Sequence, residues 1–171
     1  MHDRRFLQAM LAGGHQPFFL RTQPETEETP ISDDIELVDY FDAHRAIDEI
    51  HPDLIHAGPV PEGAYLAAQT GFQPLISMSW GSDLLREVDQ NSETEERARY
   101  ALEHSSLLLA DCDAVKKKAV SLSFPEEKVV IFPWGIDLEK FRPGRNYTLR
   151  KKLGWEEKFV IFHSRSWEEV Y

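Results

Sequence analysis

Val129-Val130-Ile131-Phe132-Pro133-Trp134-Gly135-Ile136-Asp137-Leu138-Glu139-Lys140-Phe141 is the stretch that decides how the chain is read. β-Branched and aromatic residues make 128–132 a strand. Pro133 stops it, because proline has no amide to give to a ladder. Trp134-Gly135 then turns the chain, and Phe141 ends a short polar segment. The segment is either a plain strand exit or the hinge edge of a binding cleft, and the rest of the sequence decides between the two.

Upstream, short apolar runs alternate with helical patterns. Phe6, Leu7, Met10 and Leu11 recur at helical spacing over 3–12, with Asp3 as N-cap and Gly13-Gly14 as the stop. Strands are expected at 17–20, 53–56, 74–79, 106–110 and 128–132. Helices are expected at 38–50, 62–70, 94–104 and 112–122. The acidic stretch 24–36, with two prolines, reads as a solvated loop. Downstream, 142–157 is basic and polar, with a short helix near 148–153, and 158–163 reads as one more strand. Alternating strand and helix implies an α/β fold: a Rossmann-like parallel sheet with helices on both faces. Right-handed crossovers point all the strands one way. His56-Ala57-Gly58, Trp80-Gly81-Ser82-Asp83, Asp111 and Pro133-Trp134-Gly135 therefore share the carboxyl edge, outside which open α/β sheets bind ligands.

Composition narrows the function classes. The 171 residues carry a formal net charge of -11, which argues against phosphate-backbone binding and so against nucleic acid as a partner. Cys112 is the only cysteine, so no intrachain disulfide forms, in keeping with a reducing, cytoplasmic setting. No apolar run approaches the roughly 20 residues that span a bilayer, and no signal-peptide pattern is present. No His or Cys spacing fits a metal site.

Several segments, taken in order, resemble the family-four glycosyltransferases of the two-domain B fold. Asp3-Arg4-Arg5-Phe6-Leu7 through Gly14-His15 resembles their first helix and "GH" turn, and Pro52-Asp53-Leu54-Ile55-His56 their "PDxIH" strand. Pro74 through Gly81-Ser82-Asp83 resembles their strand ending in G-S/T-D. Val129 through Phe141 resembles their V-x-V-x-P-N-G-V-D-x-x-x-F segment, and Leu153-Gly154 through Arg165 the opening of their second domain. The match covers nearly the whole chain, and its specificity lies in the order and spacing of the pieces. Two positions depart from the pattern: Trp134 stands where Asn is commoner, and Gly58 where a second His often follows the strand.

The resemblance implies transfer of a sugar from a nucleoside diphosphate sugar, with retention of configuration and no metal or other cofactor. The acceptor, a sugar or a lipid, would bind an N-terminal domain over 1–141. A linker over 142–157 would lead to the first strand of the donor-binding domain, over 158–171. The family's first strand and Gly-rich turn precede the helix with which this chain opens, and its second domain runs far past Tyr171. The chain is accordingly expected to be a fragment that does not catalyse transfer alone. The runner-up expectations are another nucleotide-binding α/β enzyme, such as a dehydrogenase, and an inactive remnant of a truncated reading frame. No G-x-G-x-x-G follows a strand here, which disfavours the dehydrogenase.

The resemblance points to His56, Gly81, Ser82, Asp83, Trp134 and Gly135 as the acceptor-side cleft. Gly81 permits close backbone approach, Ser82 offers a hydroxyl and Asp83 can accept from sugar hydroxyls. The competing reading is a helix N-cap by Ser82 or Asp83. Arg165, after the last strand, would hold the donor pyrophosphate with its planar guanidinium; otherwise it pairs with Glu168 or Glu169. His56 is either a cleft residue or a satisfied structural histidine. Lys116-Lys117-Lys118 reads first as a solvated helix face. The family's use of basic patches adds weak peripheral contact with a membrane surface.

Overall fold

The structure, a computed structural model, describes residues 2–20, 36–38, 43–133, 135, 136, 138, 139 and 141–161. It divides into two compact units, Met1–Phe132 and Pro133–Tyr171. Sequence placed the first boundary later, at 141.

The first unit opens with α1 (His2–Ala12) and β1 (Phe18–Leu20), followed by β2 (Glu36–Val38) and α2 (Ala43–Ile50). β3 (Ile55–Ala57) leads into a single π-helical turn (Val60–Ala64) and α3 (Tyr65–Gln69). β4 (Leu75–Met78), α4 (Ser82–Leu85), α5 (Ser92–Glu103), β5 (Leu107–Ala110), α6 (Asp113–Ser121) and β6 (Val129–Ile131) complete it. β3, β4, β5 and β6 lie side by side in sequence order and all pair in parallel. Ile55 pairs with Leu75, Ile76 with Leu107 and Leu108 with Val129, so the loops leaving these strands share one carboxyl edge. The α/β class read from the alternation is the one observed, with helices flanking the parallel sheet.

One expectation needs correcting. The described strands form two sheets, not one: β1 and β2 pair in parallel apart from the four-stranded sheet. No described strand joins β1 to β3. β3 is half-buried along its length, whereas β4 is buried at three of its four positions. That gradient is what a sheet edge gives, since an edge strand is covered on fewer sides. β2 was not foreseen: three residues held by pairing with β1 leave no periodic signal in the sequence. The helix expected from 38 begins at Ala43. The acidic loop 24–36 lies outside the described residues except for Glu36.

The core sits between β5 and the helices. Val60, Ala64, Leu84, Val88, Ala98, Ala101, Leu102, Leu108, Val115 and Phe124 belong to one buried cluster. Small alanines on α5 let that helix approach the π-helical turn closely, and full burial of Leu84, Leu102 and Leu108 contributes roughly 2 kcal/mol each. α5 starts at Asn91, whose side chain accepts the Thr94 amide at 2.8 Å, an N-cap.

In the second unit, α7 (Tyr147–Leu153) starts at Asn146, which accepts the Leu149 amide at 2.9 Å, and ends at Gly154 in the left-handed region, φ 67°. The strand expected at 158–163 is not formed over its described part, 158–161. Phe159 and Ile161 are 92% and 84% exposed. No described strand of this unit lies ready to pair with them, and an unpaired extended segment is not a strand. Residues 162 and 163 lie outside the described residues.

Candidate functional site

Asp83 organises the carboxyl edge. It is 1% exposed, and both of its oxygens are engaged. Oδ2 accepts the Val60 amide at 2.9 Å, while Oδ1 accepts the Ser79 hydroxyl at 2.7 Å and the Trp80 amide at 3.0 Å. The Ser79 oxygen in turn accepts the Gly81 amide at 3.1 Å. One carboxylate thus ties the loop after β3 to the loop after β4. Asp83 does not cap α4, whose N-cap is Gly81 with no side-chain bond. With its oxygens turned into the fold, direct contact between Asp83 and a ligand gives way to scaffolding. The sequence offered both of those readings and missed the third, because the Val60 partner is 23 residues away.

The glycines set how closely the loops approach. Gly81 has φ 94° and ψ -66°, a conformation that side chains other than hydrogen resist. A Cβ on Gly58 would lie 2.5 Å from the Met78 carbonyl oxygen and 3.3 Å from Trp80 Nε1. The sequence departure at Gly58 therefore has a steric cause: no side chain fits there. A Cβ on Gly63 would meet the Gly58 carbonyl at 2.5 Å. Backbone packs on backbone at two points, Gly58 on Met78 and Gly63 on Gly58, which stiffens the edge.

Two groups at this edge, passed over as site residues from sequence, stand out. Trp80 is 41% exposed at the end of β4. Asp111, directly after β5, has its Oδ1 shut off from solvent and without a hydrogen-bond partner. Its Oδ2 lies 3.8 Å from where a Cβ on Gly81 would stand. The available signal was positional only: a tryptophan before Gly81 and an acid ending an apolar strand.

The other foreseen residues fall as follows. His56 is half-buried at the middle of β3, its ring edge-on to Phe6 of α1 with centroids 5.7 Å apart. Ser82 is half-buried and donates to Glu87 at 3.2 Å. Gly135 is exposed and belongs to the second unit. Trp134 and Arg165 lie outside the described residues. Cys112 is half-buried against the core at the start of α6. In the lysine run, Lys116 pairs with Glu126 and Lys118 with Asp89, leaving Lys117 as the exposed member without such a pair. Among the described residues, no three His, Cys, Asp or Glu side chains cluster to hold a metal, and no helix is long and apolar enough to cross a membrane.

The sheet edge can therefore offer a half-exposed indole and loops that bring backbone close to whatever lies above them. These are the elements of a small polar-ligand site. Comparison with known proteins agrees with the fold. The profile described as glycosyl transferase 4-like matches residues 20–112, more than half of the chain. Two solved structures of Anabaena Alr3699/HepE are similar, one in complex with UDP and one with UDP and glucose. Each is 18% identical, with TM-scores of 0.59 and 0.57. Each match covers 74% of this chain but only 38% and 39% of the other, so the chain spans well under half the length of the structures it matches. No curated protein matches the chain.

Proposed function

The chain belongs to the glycosyl transferase 4-like family, and from that premise we propose that it is the acceptor-side portion of a retaining glycosyltransferase. The observation that carries the reading is the convergence of the β3, β4 and β5 exits on one edge, the first two tied together by Asp83. In the reaction, a sugar leaves a nucleoside diphosphate and joins an acceptor hydroxyl. The acceptor, a sugar or a lipid carrying one, sits over this edge. The donor belongs to a second α/β domain of which Pro133–Tyr171 is the start, and Arg165 holds its pyrophosphate. No metal or other cofactor takes part. The enzyme works in the cytoplasm, touching a membrane surface at most weakly, because two of the three lysines on α6 are already paired within the fold.

This division of labour has a direct test. Anabaena Alr3699/HepE is described with UDP and glucose, which makes UDP-glucose the first donor to try. GDP-mannose and NAD serve as comparison ligands. The 171-residue chain is expected to transfer no sugar, because it spans well under half the length of the structures it matches. Measurable sugar transfer by this chain would overturn the division. Preferential binding of NAD would favour a dehydrogenase-type site instead.

A further inference from the structure

We propose that Gly58 and Trp80 form one specificity-determining subsite, in which the indole, lying over the bare backbone of the β3 exit, is the platform for a sugar ring of the acceptor; this rests on the acceptor-side reading above. The two residues are a steric unit. A Cβ on Gly58 would lie 3.3 Å from Trp80 Nε1 and 2.5 Å from the Met78 carbonyl oxygen. The nitrogen edge of the indole therefore rests against residue 58, and any side chain there competes with it for the same space. Glycine at 58 is what lets the ring from the β4 exit reach across to the β3 exit.

The platform is braced. The Trp80 amide donates to Asp83 Oδ1 at 3.0 Å, and the next amide, that of Gly81, donates to the Ser79 hydroxyl oxygen at 3.1 Å. Trp80 nevertheless stays 41% exposed, and most of a tryptophan's surface is its ring. A lone exposed apolar residue is ordinary on a protein surface. This one stands on a fixed loop at the carboxyl edge, where open parallel sheets take their ligands. An indole gives a flat apolar face with a single N–H at its rim. Glycine backbone, polar and without side chains, adjoins it at 58 and 81. A pyranose suits that setting, since its C–H face packs on the ring and its hydroxyls meet the backbone around it. An alkyl chain finds no continuous apolar track along the two glycines.

The test follows the indole N–H signal of Trp80 in the nitrogen-15-labelled 171-residue chain, identified by its loss in Trp80→Phe. D-Glucose, D-galactose, D-mannose and uridine are the probes. The preferred sugar is expected to move that signal together with the Gly58 and Gly81 amides. Trp80→Ala should weaken this sugar about tenfold and Trp80→Phe, which keeps a smaller apolar face, about threefold, both read from the edge amides. The bonds that brace the loop do not use the indole, so an unchanged Gly81 amide shows that the loop is intact in each variant. Should Trp80→Ala disturb that amide, Trp80→Phe and the wild-type indole signal decide. If a sugar shifts the edge amides while the indole signal stays, or if the variants bind it as tightly as wild type, Trp80 is a structural cover and the inference falls while the acceptor edge stands. A response to uridine and to no sugar, or to none of the probes, overturns both.

Discussion

At the scale of single residues, Asp83 does the most. Replacing it with Ala leaves the buried Val60 amide and the part-buried Trp80 amide without their acceptor, a loss of about 3 kcal/mol. The melting point should fall by roughly 6–12 °C in a chain of this size. A melt of Asp83→Ala within 2 °C or so of wild type would show that the strut is dispensable. Gly58→Ala should destabilise by a comparable route, since its Cβ would sit 2.5 Å from a backbone oxygen that cannot swing away; about 2 kcal/mol is expected from urea unfolding. The sequence reads Gly81, Ser82 and Asp83 as one motif that either contacts the acceptor or caps a helix. The structure divides them: Gly81 supplies a backbone angle, Ser82 bonds Glu87, and Asp83 braces a loop 23 residues distant. Residue type and local spacing carry no trace of that long-range bond.

At the scale of elements, periodic signals gave the helices, whereas the cap expected at Asp3 is not one, because α1 already runs from His2. α5 with Asn91 and α7 with Asn146 and Gly154 have polar N-caps, and Gly154 provides the left-handed exit. Asn91→Ala should cost about 1 kcal/mol, a drop of 2–4 °C by calorimetry. Elements that exist only through pairing were read less well. β2 has three residues and pairs with β1 alone. The apolar run at 158–161 looked like a strand and forms none, because alternation creates a strand only where a neighbour completes its hydrogen bonds. β3, which the sequence reads as a short buried-type strand, lies at the edge of the four-stranded sheet and is half-buried.

For the whole molecule, the two units differ in what holds them. The first has a buried cluster running from Val60 to Val129. In the second, no described residue is buried, and Phe159, Ile161, Leu138 and Tyr147 are each at least 70% exposed. Limited trypsin digestion should therefore cut first at Arg145, Lys151 or Lys152 and leave the first unit intact. Cleavage within α5 or α6 at the same rate would contradict this difference in stability. The family was legible in the sequence through ordered motifs spread over the chain. The internal bracing of the site was not, because it depends on which loops the sheet brings together. The most direct check of the acceptor-side reading is an amide NMR titration of the 171-residue chain with D-glucose, D-galactose and D-mannose. Shifts confined to the amides of Gly58, Val60, Trp80, Gly81 and Asp111 are the result expected. Shifts scattered over the surface, or gathered away from the carboxyl edge of β3–β5, would contradict it.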